Sequence, residues 1–244
     1  MPYVYDYEKS VIVDGVSHNK KFVFVGNSSN KAEMVYEAPK HWIDVDPTKD
    51  SFTQDEFILV CEAAFQSQMK VGAKITLNNQ YCNTFEVIGI NHDGTTNTVD
   101  IMPTTQVGNM IFGSSQYYNG SSIQTWINGT YLSAFDSVIQ NLAKTMSVVT
   151  NGSTITEKVK LLSCTEVNYS SSYALSEGTA YEAFTASGSS RWRAKGSYGS
   201  SSYYWLRSRG TSYSGNVWYV SSNGYCGTGN YGNNTSGVLP VLRF

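Results

Sequence analysis

The sequence predicts an α+β fold for the main body of the chain, preceded by a small separate module. Three observations carry this. Strand-like alternation fills residues 72–110 and returns in the last fifth of the chain. Two helical stretches lie between these strand-rich parts and do not alternate with strands, which argues against a doubly wound sheet. No tandem repeat marks a solenoid or propeller.

The expected division is a module at residues 1–67 and a second domain at 68–244. In the module, Val11-Ile12-Val13-Asp14-Gly15 and Lys21-Phe22-Val23-Phe24-Val25-Gly26 read as short strands ended by turn residues. A helix follows. Thr53 can cap it, Glu56 completes the capping box, and Phe57, Cys61, Ala64, Phe65 and Met69 recur at helical spacing as a packing stripe. Strands are then expected at residues 74–77, 84–90 and 98–103, with turns at Asn78-Asn79 and Asp93-Gly94.

One helix is expected after Asn119-Gly120-Ser121-Ser122, with Ile123, Trp126 and Ile127 on its packed face. A second follows Ser133, with Phe135, Val138, Ile139 and Leu142 on one side. Residues 158–163 read as a strand and 179–184 as a further helix.

Composition narrows the function. Apolar residues make up 41 % of the 244, enough for a core. Charged residues are only 15 %, against a usual ~25 %. Amides and hydroxyls must therefore supply much of the polar surface. A net charge of −2, with no basic cluster beyond Arg191-Trp192-Arg193-Ala194-Lys195, argues against a nucleic-acid partner. No apolar run is long enough to span a bilayer, and the first residues lack the basic and apolar regions of a cleavable signal peptide.

Cys61, Cys82, Cys164 and Cys226 are far apart and show no metal-ligand spacing, so they read as free or buried thiols and no metal or cofactor is expected. Asp93 and Asp100, near Asn91 and Asn97, could take calcium, but a turn and an edge strand explain them more simply. There is no G-x-S-x-G elbow, Walker loop or H-E-x-x-H, so no enzyme is expected.

The tail points elsewhere. Of residues 196–237, 34 are Gly, Ser, Tyr, Asn or Thr, and the only charges are Arg207 and Arg209. Antibody paratopes use this palette: Tyr offers large contact area at little rotamer cost, and small polar residues adapt their hydrogen bonds. Trp205, Leu206, Val217, Trp218, Val220, Val238 and Leu242 read as scaffold anchors. The residues between them read as an exposed ligand-binding surface: Arg209, Thr211, Ser212, Tyr213, Ser214, Asn216, Tyr219, Ser221, Asn223, Tyr225, Asn230, Tyr231 and Asn233.

Ordered blocks add a resemblance. They are Ile111-Phe112-Gly113, Tyr118-Asn119-Gly120-Ser121-Ser122-Ile123-Gln124-Thr125-Trp126-Ile127-Asn128 and Lys158-Val159-Lys160-Leu161-Leu162-Ser163 through Glu166-Val167. Tyr204-Trp205-Leu206-Arg207-Ser208, Val217-Trp218-Tyr219-Val220 and Gly237-Val238-Leu239-Pro240-Val241-Leu242 follow. Together, over residues 68–244, they resemble a C-type-lectin-like domain family of gut bacteria and their phages. Ile127, Leu239 and Arg209 depart from the family pattern without removing an apolar anchor.

The resemblance implies a C-type-lectin-like fold and a likeness to the variable proteins of diversity-generating retroelements. There, template adenines are copied with errors, and a randomised AAC codon never yields Lys, Glu, Gln, Met or Trp. Residues 210–237 obey this apart from Trp218, which sits in a scaffold block. The resemblance also implies a receptor-binding protein of a phage tail or bacterial surface that engages a host or cell-surface protein or glycan. Residues 1–67 would then serve in virion attachment or self-association. Arg207 has two readings, a ligand contact or a buried guanidinium fork that satisfies backbone carbonyls or a carboxylate, and the second is favoured; the resemblance implies Glu166 as its partner.

Two alternatives stand beside this reading. One is an enzyme or accessory factor of the formylglycine-generating type using Cys164 and Cys226, and the other is a purely structural virion protein.

Overall fold

The computed structural model describes residues 45–184, 203–212 and 214–244 in full. It also gives the backbone of strands Val4–Val13 (β1), Val16–Gly26 (β2) and Ala32–Tyr36 (β3). The chain divides into two units, Met1–Asp46 and Pro47–Phe244. In the first unit β1, β2 and β3 form an antiparallel meander in sequence order.

The division expected between residues 67 and 68 is corrected to 46 and 47. The reason is packing. Strand Ser51–Phe52 (β4) pairs with Lys74–Thr76 (β5). Helix Gln54–Glu62 (α1) buries Phe57, Val60 and Cys61, and the Phe57 ring meets that of Phe244 edge-on at 5.0 Å.

Both arms of the expected capping box form at the start of α1, between Thr53 and Glu56. The helix stops earlier than the apolar stripe implied. Ala64 sits in the left-handed region at φ 56 and is exposed, while Met69 is buried beyond the helix.

The second unit is α+β. One sheet of six strands has the order β11-β16-β7-β6-β5-β4. Its remaining strands are Thr84–Ile90 (β6), Val99–Pro103 (β7), Val159–Leu161 (β11) and Pro240–Arg243 (β16). The other sheet has five strands in the order β14-β13-β12-β15-β8. Its strands are Asn109–Ile111 (β8), Tyr204–Arg209 (β12), Asn216–Val220 (β13), Cys226–Asn230 (β14) and Thr235–Gly237 (β15).

A hairpin of Met146–Thr150 (β9) and Ser153–Glu157 (β10) stands apart. Asn151 and Gly152 turn it with φ of 49 and 76, the pair of positive angles that a type I′ turn requires.

Helix Ser122–Trp126 (α2) is capped by Ser121, whose hydroxyl accepts from the Gln124 amide at 3.2 Å, and it continues through a wider turn at Ile127–Tyr131. Helix Ser137–Leu142 (α3) buries Ile139 but leaves Val138 exposed, against the expected face. Residues 179–184 form turns rather than the expected helix. Their backbone is claimed by tertiary contacts instead, with the Tyr181 and Ala183 amides donating to Glu166 and Ile88 carbonyls at 3.1 Å each.

A shared core joins the two sheets. Ile88, Met102 and Val241 from the first meet Tyr204, Leu206, Trp218, Val220 and Cys226 from the second. Leu162, Cys164, Val167, Tyr181 and Phe184 complete it. Gly237 belongs to the closing block because its backbone runs against Gln106, where a Cβ would fall 2.1 Å from side-chain atoms. Among the described residues no helix is long and apolar enough to cross a membrane.

Candidate functional site

Two polar knots hold the frame that presents the tail. The first is built around Glu166, which is 1 % exposed. Its carboxylate accepts from Arg207 Nη2 at 3.0 Å and Nη1 at 2.5 Å, from Lys160 Nζ at 2.8 Å and from the Ser163 amide at 3.0 Å. Arg207 also donates to the Leu161 carbonyl at 2.7 Å and the Val149 carbonyl at 3.1 Å.

Burial opposes the charge on Glu166, but the Arg207 and Lys160 cations and their hydrogen bonds outweigh it and hold the carboxyl down at about 2. Gly178, at φ 81, leaves room for this carboxylate: a Cβ there would lie 2.8 Å from Oε1. Beside the knot, Glu177 accepts from the Ser208 hydroxyl and the Asn151 amide at 2.6 Å each. Lys160 lies 5.1 Å over the Tyr181 ring, and Tyr181 donates to Asp100 at 2.6 Å. Asp100 also takes Arg243 Nε at 2.6 Å and Nη2 at 2.7 Å, so its carboxylate is occupied by protein donors.

The second knot is Glu157. It accepts from Tyr118 at 2.9 Å, Gln124 at 3.0 Å and Asn128 at 3.1 Å. Burial pushes this carboxyl up, while these donors pull it down. Asn128 also exchanges hydrogen bonds with the Val159 backbone, at 2.8 and 3.0 Å, and so extends the edge of β11. The Tyr118, Gln124 and Asn128 positions of the long sequence block therefore serve structure.

On this frame the tail hairpins are set. The pairing of β12 with β13 and of β13 with β14 places residues 210–212, 214–215 and 230–234 at one end of the five-stranded sheet. The turn 221–225 lies at the other end. The five residues of β13 separate the ends by on the order of 15 Å. The predicted site residues are thus divided, not gathered into one patch.

At the first end lie Arg209, Thr211, Ser212, Ser214, Asn216, Asn230, Tyr231 and Asn233. Thr211, Ser212, Ser214 and Asn233 are exposed, and the others are half-buried. Arg209 bonds to Asn151 and lies 5.7 Å over the Tyr117 ring. Asn230 Oδ1 accepts from the Gly232 and Asn233 amides at 3.0 Å each and shapes its own turn. Tyr213 lies outside the described residues.

At the second end lie Ser221, Asn223 and Tyr225, with Tyr219 on the adjoining strand. Ser221 corrects an expectation. It is 8 % exposed, and its hydroxyl bonds to Asn223 and to the Tyr225 carbonyl, so it closes the turn rather than facing a ligand. Tyr225 is 67 % exposed. Tyr219 is half-buried, and its ring lies 5.0 Å from that of Tyr203, itself 45 % exposed. The phenols of Tyr203 and Tyr225 both act on that of Tyr219, whose acidity burial first weakens. Gly227 makes this possible, because a Cβ there would fall 2.8 Å from the Tyr219 hydroxyl.

The anchors beneath are packed. Trp205 is fully buried, donates to the Met110 carbonyl at 2.9 Å and meets Phe112 edge-on at 5.9 Å. Trp218 packs on Tyr169 at 5.3 Å.

Sequence reasoning missed Tyr203, and it missed Tyr117 and Tyr173, which lie outside the tail. Tyr173 is 57 % exposed and stands beside the 210–215 loop, because its carbonyl accepts from the Thr211 amide at 3.0 Å. Nothing in the local sequence around these two rings marks them. Among the described residues no group of three or more His, Cys, Asp or Glu is placed to hold a metal ion. Cys164 and Cys226 form no disulfide and are 1 % exposed within the shared core. Burial pushes the Cys164 thiol well above its ordinary value, which disfavours the thiolate a nucleophile needs.

A family description, Domain of unknown function (DUF6273), matches residues 77–243. The chain belongs to the DUF6273 family. No curated protein and no solved structure matches it. The DUF6273 match contains both knots and the anchors Trp205 and Trp218. It begins at Leu77, so α1, β4 and β5 are packed into the same unit from outside the DUF6273 boundary.

The first knot generates a stability prediction. The folded-state carboxyl of Glu166 lies below its ordinary 4.5, so its ionisation stabilises the fold above that pH. The contribution is lost as pH falls towards about 2. Glu166→Gln leaves two buried cations short of a partner and is expected to cost about 3–5 kcal/mol at pH 7 in urea unfolding. The gap from wild type should narrow as the solution is acidified through that window.

Proposed function

We propose that this protein is a ligand- or receptor-binding protein whose C-terminal hairpins carry the recognition surface. The observation behind this reading is the trio Tyr203, Tyr219 and Tyr225. Large rings reach solvent from strands whose opposite face sends Tyr204, Leu206, Trp218, Val220 and Cys226 into the core. A stiff aromatic surface binds with little loss of side-chain freedom, as paratopes do. Thr211, Ser212, Ser214, Tyr231 and Asn233 supply a second polar surface at the far end of the same sheet.

In this reading the second unit is a C-type-lectin-like domain. Its early strands β4 and β5 and its last strand β16 share one sheet, which supports a looped topology closed by its own ends. The exposed tail positions are those a diversity-generating retroelement would vary. The protein acts at a phage tail or bacterial surface, with a host or cell-surface protein or glycan as ligand. The first unit serves attachment or self-association. Neither nucleic acid nor membrane insertion takes part.

Two measurements test this. Sequencing the DNA beside the gene should reveal a near-copy of the tail codons differing only at template adenines, next to a reverse transcriptase. A partnerless locus would remove the diversification part alone. For binding, labelled protein is titrated against whole bacterial cells and an array of bacterial surface glycans. Tyr225→Ala is expected to weaken binding about thirtyfold, equivalent to ~2 kcal/mol at a central contact. Stability should stay within ~0.5 kcal/mol, as at an exposed position. Binding unchanged by Tyr225→Ala and by Tyr203→Ala would contradict the reading.

A further inference from the structure

A second concavity has a lining of its own, with none of the tyrosine trio in it. The chain between Thr165 and Ala180 lines a half-open cavity of about 250 Å³. Tyr169, Ala174 and Leu175 give it apolar surface, while Ser170, Ser171 and Ser176 give it hydroxyls. No charged side chain lines it. The nearest candidate in sequence, Glu177, is turned into the protein, where Ser208 and the Asn151 amide bind its carboxylate.

The cavity wall is braced. Asn168 takes the left-handed conformation at φ 58, and its amide donates to the Phe184 carbonyl at 3.1 Å. The Tyr169 amide donates to the Cys164 carbonyl at 2.9 Å. Trp218 supports the loop from below, donating to the Tyr173 carbonyl at 3.3 Å and packing its ring at a tilt against Tyr169. A wall already in place avoids the ordering cost that binding would otherwise carry.

We propose that this cavity binds one neutral, polyhydroxylated six-membered ring, a hexopyranose unit of a glycan. Its volume lies just below the ~300–1,000 Å³ range of sites for larger organic ligands, which suits one ring. Serine hydroxyls both donate and accept, as sugar hydroxyls do, so the two sets can pair in either sense. The apolar residues match the C–H face of a pyranose. An ion entering here would lose part of its hydration and meet no opposite charge. The cavity also borders the tail, since Ala174 bridges to Gly210 and Tyr173 holds the Thr211 amide. A glycan seated by its terminal ring would therefore extend across the 210–215 loop. This inference does not depend on the tyrosine trio.

The test uses the full chain labelled with nitrogen-15 and a panel of methyl glucoside, galactoside, mannoside and N-acetylglucosaminide, with acetate and phosphate as charged probes. Backbone amide shifts are followed during titration. At least one hexopyranoside is expected to bind in the millimolar range, with the largest shifts within 168–176. Ser176→Trp, which fills the cavity from an exposed position, should reduce that affinity at least tenfold, whereas Val138→Ala, at an exposed position on α3, should leave it unchanged. No binding by any of the sugars would overturn the proposal. So would shifts centred elsewhere, a preference for the charged probes, or binding that survives both Ser176→Trp and Ser170→Trp. The amide map decides the matter even if a tryptophan variant fails to fold.

Discussion

A carboxylate with almost no access to water governs this fold. Glu166 is tolerable in the interior only because Arg207, Lys160 and the Ser163 amide surround it. Those partners come from three separate places: the strand β11, the turn after it and the middle of β12. Satisfying one charge therefore fixes the relation of the two sheets. The direction of β12 follows, because Arg207 must point to Glu166 while Tyr204 and Leu206 enter the shared core. From β12 the register passes to β13 and β14, and so to every tail residue.

This arrangement separates what must stay from what can change. Anchors at Trp205, Trp218, Val220 and Val238 are buried, and their loss would open cavities or take the indole donors from the Met110 and Tyr173 carbonyls. The side chains of Thr211, Ser212, Ser214 and Asn233 are exposed. Ser221 and Asn230 stand between the classes: polar like a contact residue, yet spent on their own turns. The Glu157 knot plays a similar part lower in the domain, tying α2 to the edge of β11. Buried polar networks of this kind hold one arrangement against its rivals once every member is satisfied.

Much of this was legible beforehand, and the failures have physical causes. The Thr53 and Glu56 capping box was readable because its hydrogen bonds are local. The end of α1 was not, since Ala64 turns left-handed for tertiary reasons that an apolar stripe does not encode. Asn151-Gly152 between Val148 and Ile155 carried a plain hairpin signal and went unread. Arg207 and Glu166, far apart in the chain, could be joined only through a resemblance. Composition singled out the tail as a surface, but it cannot assign residues to ends of a sheet. That depends on the register of β13, which also explains why Tyr117 and Tyr173 stand beside Arg209 and Thr211. Ser221 misled because a hydroxyl that closes a turn looks in sequence like one that meets a ligand.

Simultaneous replacement of Thr211, Ser212, Ser214, Asn223, Tyr225 and Asn233 by alanine tests most directly whether the fold resides in the frame alone. The measurement is cooperative thermal melting followed by near-ultraviolet circular dichroism. With six changes confined to exposed positions, the transition should remain single and cooperative, displaced by no more than roughly 5 °C, and the tryptophan signal should be retained. A broadened transition, or loss of the Trp205 and Trp218 signal, would mean that the tail surface helps to build the fold it was taken to decorate.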